Sequence, residues 1–582
     1  MKLILFAILF VSLLPFVSAQ SGSIKLLALS ELSNGSQLGV VTDLSLELKS
    51  GSERVFLDTF PLTKITTQIS MRFAQQIACK ELGVDCSKYD FFYTIKALMG
   101  LVGGPSAGAA ATLLSASVIT REQLNPLMTI TGTINSGGII GPVGGIKQKI
   151  EGASKNGLKT VLIPAGARFQ KEANKTIDLF AHGKKLGLNI VEVETFKEAF
   201  DVMTGKNHTK NLGEFVIDDK YQKVMKQVAQ DICNATSNVE FQINSQVVNK
   251  TFAKEVLNLA QKSKKSFEDA QYYSAASYCF RTNLLLKQIN IVYKKPARSV
   301  ILKRAINASN SLKLLAANIS SRKLRTITDL QTYMAVNERL FEAQDALGKL
   351  HQNSNDTLAS ANLVAYAQER IGSAYAWSRF FDNSDKTFEI SKSKLQQSCM
   401  NKISEAEERY NYVKSILPIS LLEVRYELDR AYYDLSNQSF IMCLYRASKA
   451  KASSDVILGV MGVEESQISD VLKLKLDVVK RELIKSQQRG IFPIIGYSYY
   501  EYANSLINVD KSSALLFAEY ALELTNIDMY FQKNNSSVPL LFFAKENWLA
   551  FIAGIIFGLL ISKYYSAGVK KKVKLKNKLK RL

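Results

Sequence analysis

Hydrophobic and polar positions follow a mixed pattern from residue 20 to about residue 205. Strand-like apolar stretches alternate here with stretches of helical spacing, and the glycines of the chain are concentrated in this region. Such alternation predicts an α/β or α+β domain. The individual elements predicted are helices at 68–82, 147–156, 175–186 and 196–204, a small-residue helix that begins at Ser106, and strands at 91–98, 160–164 and 189–193.

The pattern changes beyond residue 250. Glycine and proline become rare, and apolar residues recur at spacings of three and four up to residue 529, as in amphipathic helices. Three passages, beginning at Glu268, Arg430 and Tyr499, each resemble a hairpin of Tyr- and Ala-rich helices. Stacked tetratricopeptide-like hairpins and a plain bundle both fit, because no fixed period can be established. An all-α region is therefore predicted at 251–545, after a linker or adaptor at 206–250.

Two long apolar runs lie near the ends of the chain. The first follows Lys2 and ends in Ser-Ala, which is typical of a secretory signal at 1–19, with an uncleaved anchor as the alternative. The second, at 546–566, has aromatic residues at both edges and precedes a basic tail at 567–582. Its apolar run from Trp548 to Tyr565 has eighteen residues, which would span ~27 Å as a helix, about the thickness of a bilayer core. This pattern predicts a single-pass protein of the cell membrane, with its N-terminal ectodomain outside and its C-terminal tail cytoplasmic.

The net charge of +22 changes this picture little. Part of it belongs to the tail, which would attract anionic lipid, so the lipid bilayer is the partner expected for the C-terminal helix. The remaining basic residues are interspersed with acidic ones, and no basic stripe with interleaved aromatic residues is evident. Nucleic acid is therefore not expected as a partner.

Cysteines and histidines argue for disulfides and against a metal. An even number of cysteines in an exported chain permits three disulfides, and their order favours the pairs 79–86, 233–279 and 399–443, although sequence does not fix the connectivity. No metal or cofactor is predicted, because there is no CxxC motif and the histidines at 182, 208 and 351 lie far apart. Recurrent Asn-x-Ser/Thr sequons predict a glycoprotein of an archaeal envelope or a eukaryotic secretory lumen.

The stretch from Gly103 to Lys149 carries the candidate chemistry. Ser106 stands between Gly104 and Gly108 at the start of a small-residue helix, where its hydroxyl would be exposed and the free N–H groups of the helix start could hold an oxyanion. A histidine base is not at hand, since His182 is expected on a surface helix. A lysine does the same work when burial keeps its amine neutral.

A second glycine-rich stretch supplies two lysines for that role. Lys147 and Lys149 follow a Gly-rich turn and lie in a predicted short helix. Residues two apart on a helix point in different directions, so only one of them can face the serine. The residues alone leave the choice between the two lysines open.

In these segments the chain resembles the proteolytic domain of Lon peptidases. The motif Gly-Pro-Ser-Ala-Gly is present at 104–108, a Thr-Gly pair at 131–132, the segment PVGGIKQK at 142–149 and the segment GLKTVLIP at 157–164. The resemblance covers roughly residues 40–205. It implies an α+β Lon proteolytic domain at 20–205, and the all-α region and the transmembrane helix predicted above from the apolar patterns follow this domain.

The resemblance also implies an activity and its residues. It implies a serine-type endopeptidase in which Ser106 is the nucleophile and Lys149, selected over Lys147 by the family's spacing, is the base. Thr131 would hold the ammonium group, and Gly104 and Ala107 are supporting positions beside the backbone N–H groups of the oxyanion hole. Relatives form rings, so homo-oligomers are also implied.

The chain departs from the family pattern in two places. Many Lon domains carry an acidic residue three positions before the nucleophile, whereas this chain has Gly103, which puts a secondary orienting contact in doubt. A Gly-x-x-x-x-Gly-Lys-Ser/Thr phosphate loop, expected for the ATPase module of Lon peptidases, is absent from the sequence. The sequence therefore predicts an ATP-independent peptidase that cleaves unfolded or membrane-proximal polypeptides.

Two other functions fit the same sequence. The first is a catalytically inactive Lon-fold scaffold whose helical region binds protein partners. The second is self-processing, in which the serine and lysine trim their own chain.

Overall fold

The computed structural model describes most of the chain between residues 20 and 527. The described residues are 20–31, 37–60, 63, 65–96, 105–141, 143–172, 175–207, 213–234, 250–350, 356–381, 387, 391–417, 421–460, 463, 465–525, 527, 558 and 563. Residues up to 527 form one compact unit.

A four-stranded sheet opens the fold. Its strands are ordered β1-β2-β4-β3, and all neighbours are antiparallel except β3 and β4. One helix, α1, lies between β3 and β4 in the chain. The bounds are β1 Gln20–Glu31, β2 Gln37–Ser50, β3 Val55–Phe60, α1 Ile65–Leu82 and β4 Tyr89–Lys96.

A smaller parallel sheet and two hairpins complete the α+β part. The sheet is ordered β11-β8-β5, and β6–β7 and β9–β10 are antiparallel hairpins. All five residues of β8 are buried, as expected for a central parallel strand with a continuous apolar run. The bounds are α2 Gly108–Thr120, β5 Met128–Ile130, β6 Thr133–Asn135, β7 Ile139–Gly141, α3 Ile146–Lys155, β8 Thr160–Pro164, β9 Phe169–Glu172, β10 Lys175–Asp178, α4 Leu179–Lys185, β11 Asn189–Val193 and α5 Phe196–Thr204.

The rest of the described chain up to residue 527 is helical. Apart from short 3-10 turns, its elements are α6 Asp219–Cys233, α7 Lys250–Glu268, α8 Tyr272–Lys294, α9 Arg298–Ser320, α10 Ile327–Gly348, α11 Thr357–Trp377, α12 Lys392–Ile416, α13 Leu422–Ser436, α14 Phe440–Val460, α15 Ile468–Gln488, α16 Ile494–Leu506 and α17 Lys511–Thr525. Helix α6 lies within the stretch predicted as a linker or adaptor.

Disulfides join the cysteines in the pairs that their order favours. Cys79 at the end of α1 is bonded to Cys86 in the following turn. The pair 233–279 links α6 to α8, and the pair 399–443 links α12 to α14. All six cysteines are bonded, so this part of the sequence-based prediction is confirmed.

The α+β part and the helical region share one hydrophobic core. Phe73 of α1 packs edge-on against Tyr412 of α12, with 6.2 Å between the ring centroids. Both side chains are buried, together with others from α12 to α14 such as Leu428. At the margin of this contact Arg72 and Glu408 form an ion pair of 3.3 Å. The helical region is thus packed onto α1 rather than tethered beside it.

Most predicted elements of the α+β part are present within a few residues. The strands predicted at 160–164 and 189–193 and the helix at 196–204 have the predicted bounds. The helix predicted at 175–186 is wrong in its first turn, where 175–178 form β10. Asp178 ends that strand and caps α4, because its side chain accepts hydrogen bonds from Phe180 and Ala181 N–H.

The predicted transmembrane helix and the single-pass membrane localisation are corrected. Within the described residues, none of the helices is both long enough and apolar enough to cross a bilayer. A crossing requires about 20 predominantly apolar residues, whereas a long helix such as α12 carries charges along its whole length. Of the segment predicted at 546–566 only Gly558 and Lys563 are described; the predicted signal peptide at 1–19 and the basic tail at 567–582 lie outside the described residues.

Candidate functional site

Ser106 lies in a short 3-10 turn, Pro105–Ala107, that leads directly into α2. The residue is half-buried, and its carbonyl oxygen accepts a hydrogen bond from Gly132 N–H at 3.2 Å. One turn later, Ala109 N–H donates to the Gly132 carbonyl at 3.1 Å. These two bonds fix the start of α2 against the segment that follows β5. Glycine at position 108 makes this approach possible, since a Cβ atom there would lie 3.1 Å from the side chain and from the backbone nitrogen of Ile134.

Thr131 lies in that same segment, between β5 and β6. Its N–H donates to the carbonyl of Leu162 in β8 at 3.1 Å, and its side chain is fully buried. The hydroxyl oxygen accepts a hydrogen bond from Lys149 Nζ at 3.1 Å. The structure therefore brings the side chains of Thr131 and Lys149 together. Thr131 also precedes Gly132, whose N–H is hydrogen-bonded to the carbonyl oxygen of Ser106.

Lys149 reaches this position from helix α3. The helix begins at Gly145, whose φ of 65° is a left-handed conformation that favours glycine. Ile146 and Ile150 anchor the helix in the core beneath β8. On the same side Lys149 is only 3% exposed, whereas Lys147 is half-buried.

The amine of Lys149 lies in an environment that disfavours its charge. Among the described residues, no carboxylate is paired with it, and its hydrogen-bond partner is the neutral hydroxyl of Thr131. Burial therefore lowers the pKa of Lys149 to about 8. At pH 7 about a tenth of the molecules carry the neutral amine, against fewer than about one in a thousand for a lysine in water. A neutral amine of this kind has the protonation state that a general base for a serine nucleophile needs.

Helix α3 is held against strand β2 by a close backbone approach. A Cβ atom added to Gly39 would lie 1.7 Å from the carbonyl oxygen of Gln148 and 3.0 Å from the nitrogen of Lys149. A Cβ atom on Gly152 would in turn lie 2.6 Å from the Gly39 carbonyl oxygen. Glycine at both positions allows the two backbones to touch, and this contact fixes the depth of Lys149.

The other candidate residues of the sequence are placed as follows. Ala107 is half-buried at the start of α2, and Gly104 lies outside the described residues, as does Gly103. His182 is on α4, where Nε2 lies 3.2 Å from a carboxylate oxygen of Glu151.

A small pocket beside β6 was not foreseen from the sequence. Its walls come from α1, from β6 and from the helices α12 and α14, and its volume is about 320 Å³ including the open mouth. Ile134 forms part of the wall, and a Cβ atom on Gly108, two residues from Ser106, would lie 3.1 Å from its side chain. The lining residues are Ser70, Phe73, Thr133, Ile134, Asn135, Arg409, Tyr412 and Leu458. No local sequence signal marks it, because residues more than 300 positions apart form it.

One group of carboxylates in the described chain has the spacing of metal ligands. Asp455, Glu519 and Glu523 are buried, with ligand oxygens within 4.8 Å of one another. Basic side chains already occupy these oxygens, since Lys451 contacts Asp455 and Glu523, Lys475 contacts Glu519 and Arg409 contacts Asp455. The cluster is a buried ion-pair network of the helical region, and its chemistry does not call for a metal.

Comparison with known proteins shows which family this part of the chain resembles. Residues 71–204 match the model of the Lon protease (S16) C-terminal proteolytic domain. The Lon protease of Methanosphaera stadtmanae is 33% identical over 141 residues, which are 22% of this chain and 17% of the relative. Lon protease 2 of Bacillus subtilis is 31% identical over 122 residues, 21% of this chain and 20% of the relative. The Lon protease of Paraburkholderia phytofirmans is 39% identical over 90 residues, 15% of this chain and 11% of the relative.

The similarity is confined to part of each protein. The chain spans about a tenth to a fifth of the length of these relatives, and the matched residues begin in α1 and end with α5. They include Ser106, Thr131 and Lys149. Residues 71–204 of this chain are therefore a Lon-type peptidase proteolytic domain.

Proposed function

We propose that this protein is a serine endopeptidase in which Ser106 is the nucleophile, Lys149 is the general base and Thr131 positions the base. The observation that carries the proposal is the buried amine of Lys149, held by the Thr131 hydroxyl at 3.1 Å with its pKa lowered to about 8. A lysine on the solvated face of a helix would not have its pKa lowered by burial. The proposal is further supported by the hydrogen bonds that tie Ser106 and Gly132 together.

In the first half of the reaction the serine is acylated. Neutral Lys149 Nζ takes the proton of the Ser106 hydroxyl while Oγ attacks the carbonyl carbon of the peptide bond. The negative charge that develops on the carbonyl oxygen is stabilised by backbone N–H groups at the start of α2. The ammonium group of Lys149 then donates its proton to the leaving amine, the C–N bond breaks, and an ester with Ser106 remains.

In the second half water releases the acyl group. Lys149, neutral again, takes a proton from water, and the hydroxide attacks the ester carbonyl. The C–O bond to Ser106 breaks, and the proton returns from Lys149 to Oγ. Thr131 keeps its bond to Nζ throughout, because its hydroxyl oxygen accepts from the amine and from the ammonium group alike.

The proposed substrates are unfolded polypeptides, and the proposed reaction needs no ATP. The Gly-x-x-x-x-Gly-Lys-Ser/Thr phosphate loop is absent from this sequence, which supports a reaction that proceeds without ATP. The helical region packs onto the α+β part through a shared core, and we propose that it selects or delivers chain segments.

Cleavage of casein by the whole chain and by the Ser106→Ala variant tests this function. We expect the variant to lose at least about a thousandfold in kcat, because no other group replaces the nucleophile. Ser115→Ala is a matched control: it removes a buried serine of the same helix, whose hydroxyl oxygen lies 2.6 Å from that of Tyr93. Equal activity of Ser106→Ala and wild type would overturn the proposal, and absence of activity from both would leave the domain as an inactive scaffold.

A further inference from the structure

The basic residues of the helical region are concentrated in one segment. Between residues 270 and 328, here called the basic segment, the chain has eleven Lys or Arg residues and not one Asp or Glu. The segment comprises α8, α9 and the start of α10. Its positive charge is therefore not balanced within the segment.

Carboxylates of the neighbouring helices do not neutralise the centre of this segment. Glu369 of α11 is paired with Lys287, Glu342 of α10 with Arg370 and Asp345 of α10 with Arg430. In the part of the chain that the structure describes, Lys303, Arg304 and Lys313 of α9 have no carboxylate partner, and all three are exposed.

The solvent side of α9, which is broad because only a narrow stripe of the helix is buried, also exposes large apolar side chains. Leu302 is 51% exposed, Ile306 is 60% exposed and Leu314 is 75% exposed. The opposite face is used for packing, since Ile301, Ala305, Ala308 and Ile319 are buried. Exposed apolar groups gathered on one helix face are typical of an interaction surface.

Apolar and cationic side chains are interleaved on this face rather than separated. Lys303 is three residues before Ile306 and eleven before Leu314, spacings that place all three on one side of the helix. A helix that lies in a membrane interface separates its apolar side from its charged side. If α9 lay in a membrane interface, its cationic groups would be brought close to the acyl chains together with Leu302, Ile306 and Leu314. An acidic, unfolded polypeptide supplies both carboxylates and apolar side chains along its length, so it complements a surface on which cationic and apolar groups are interleaved.

We propose that the outward face of α9 binds acidic, unfolded polypeptide chains and thereby defines the substrate class of this peptidase. The assignment to a substrate rests on the proposed function. The binding itself does not, and is tested separately with the inactive chain. The contact consists of ion pairs from Lys303, Arg304 and Lys313 to acidic side chains and of apolar contacts from Leu302, Ile306 and Leu314.

Binding is measured by fluorescence anisotropy of labelled β-casein, an acidic unfolded protein, with the full chain carrying Ser106→Ala. The protein is made in a host that does not glycosylate, so that the sequons at Asn307 and Asn318 stay bare. The charge-reversed variant Lys303→Glu/Arg304→Glu/Lys313→Glu should bind about tenfold or more weakly, since each exposed ion pair contributes a small increment. Salt should weaken the binding of the parent chain more than that of the variant.

A matched variant changes the net charge equally elsewhere. Lys473→Glu/Lys480→Glu/Lys511→Glu alters exposed lysines of α15 and α17 and should leave the affinity for casein within about twofold. A second variant, Leu302→Ser/Ile306→Ser, should also bind casein more weakly, and its loss should persist at high salt. Thermal unfolding of each variant should match the parent, because all altered side chains are exposed.

Three results would overturn the proposal. The first is equal loss of affinity in the two charge-reversed variants, and the second is unchanged affinity in both. The third is binding of phosphatidylglycerol vesicles that is lost with the charge reversal on α9 while casein binding is kept, which would assign the surface to lipid. In active enzyme the charge reversal on α9 should raise KM for casein about tenfold and leave kcat unchanged. If Ser106 proves not to be the nucleophile, the anisotropy result still decides the binding claim.

Discussion

The contact between Lys149 and Thr131 should determine how the activity depends on pH. Because the proposed reaction needs the neutral amine, kcat/KM should rise with pH and level off above an apparent pKa of about 8. Thr131→Val removes a hydrogen bond that favours the ammonium form, so the apparent pKa should fall further. The same change should lower kcat/KM about 10- to 100-fold, because the amine loses its orientation. Steady-state kinetics between pH 6 and 10 measure both effects.

The conservative variant separates positioning from packing. Thr131→Ser keeps the hydroxyl and loses only a methyl group, so it should retain the pH profile of the wild type. An unchanged profile in Thr131→Val would contradict the positioning role, even if that variant were less active.

Burial of Lys149 should also lower the stability of the folded protein. The unfolded chain binds a proton at this residue up to pH about 10.5, whereas the folded chain releases it above about pH 8. Stability is therefore reduced at neutral pH, and the loss fades as the pH rises from 8 to 10.5. Lys149→Met should raise the free energy of unfolding at pH 7 by about 3 kcal/mol and by less at pH 10. Lys147→Met, a change at a half-buried neighbour, should stay within about 0.5 kcal/mol in denaturant titrations.

The sequence predicted the identity of these residues but not their surroundings. Ser106 is singled out as a candidate by its local motif, whereas Lys149 is selected over Lys147 only by the resemblance to Lon peptidases. The burial of Lys149 depends on Gly39 in a strand 110 residues earlier, and no local pattern around α3 predicts that contact.

At the level of elements, the distance between β2 and α3 sets the position of the base. Gly39→Ala would place a methyl group 1.7 Å from the Gln148 carbonyl oxygen, so α3 must move away from the strand. We expect a fall in kcat of about a hundredfold, because displacement of a catalytic group by about 1 Å costs this much. Gly372→Ala in α11 is the matched control, since a Cβ atom there meets nothing within 4 Å. Wild-type kcat in a folded Gly39→Ala variant would contradict this account of the close approach.

Strands and helices of the α+β part were predictable where one signal dominates. The run TVLIP is continuous and apolar, and it forms β8 as predicted. The prediction of one helix at 175–186 was wrong because Asp178, the fourth residue of this stretch, ends a strand and caps the helix that follows. Its four strand residues were too few to interrupt the helical pattern around them.

At the level of the whole molecule, the shared core predicts cooperative behaviour. Phe73 and Tyr412 come from the two halves of the described chain, and the core around them is continuous. Calorimetry of the whole chain should therefore show one transition that includes both halves. A shortened chain of residues 20–205 would expose Phe73 to water and should unfold at a lower temperature or aggregate. Equal unfolding temperatures for the shortened and whole chains would contradict a shared core.

The docking of the helical region was beyond prediction from the sequence. Helical spacing indicated the helices of this region, but the contacts of α12 with α1 join residues more than 300 positions apart. The transmembrane helix was predicted from hydropathy at the C-terminal end. Within the described part of the chain, a helix with that character is not found.

The central claim, that the buried amine of Lys149 activates the hydroxyl of Ser106, is tested most directly by covalent labelling. The whole protein is treated with a serine-directed fluorophosphonate across a pH series, and the modified residue is identified by peptide mass spectrometry. The account predicts modification of Ser106 alone, at a rate that rises with pH through about 8 and falls at least about a hundredfold in Lys149→Met. Modification at a different serine, or labelling of Ser106 at an equal rate in Lys149→Met, would contradict it.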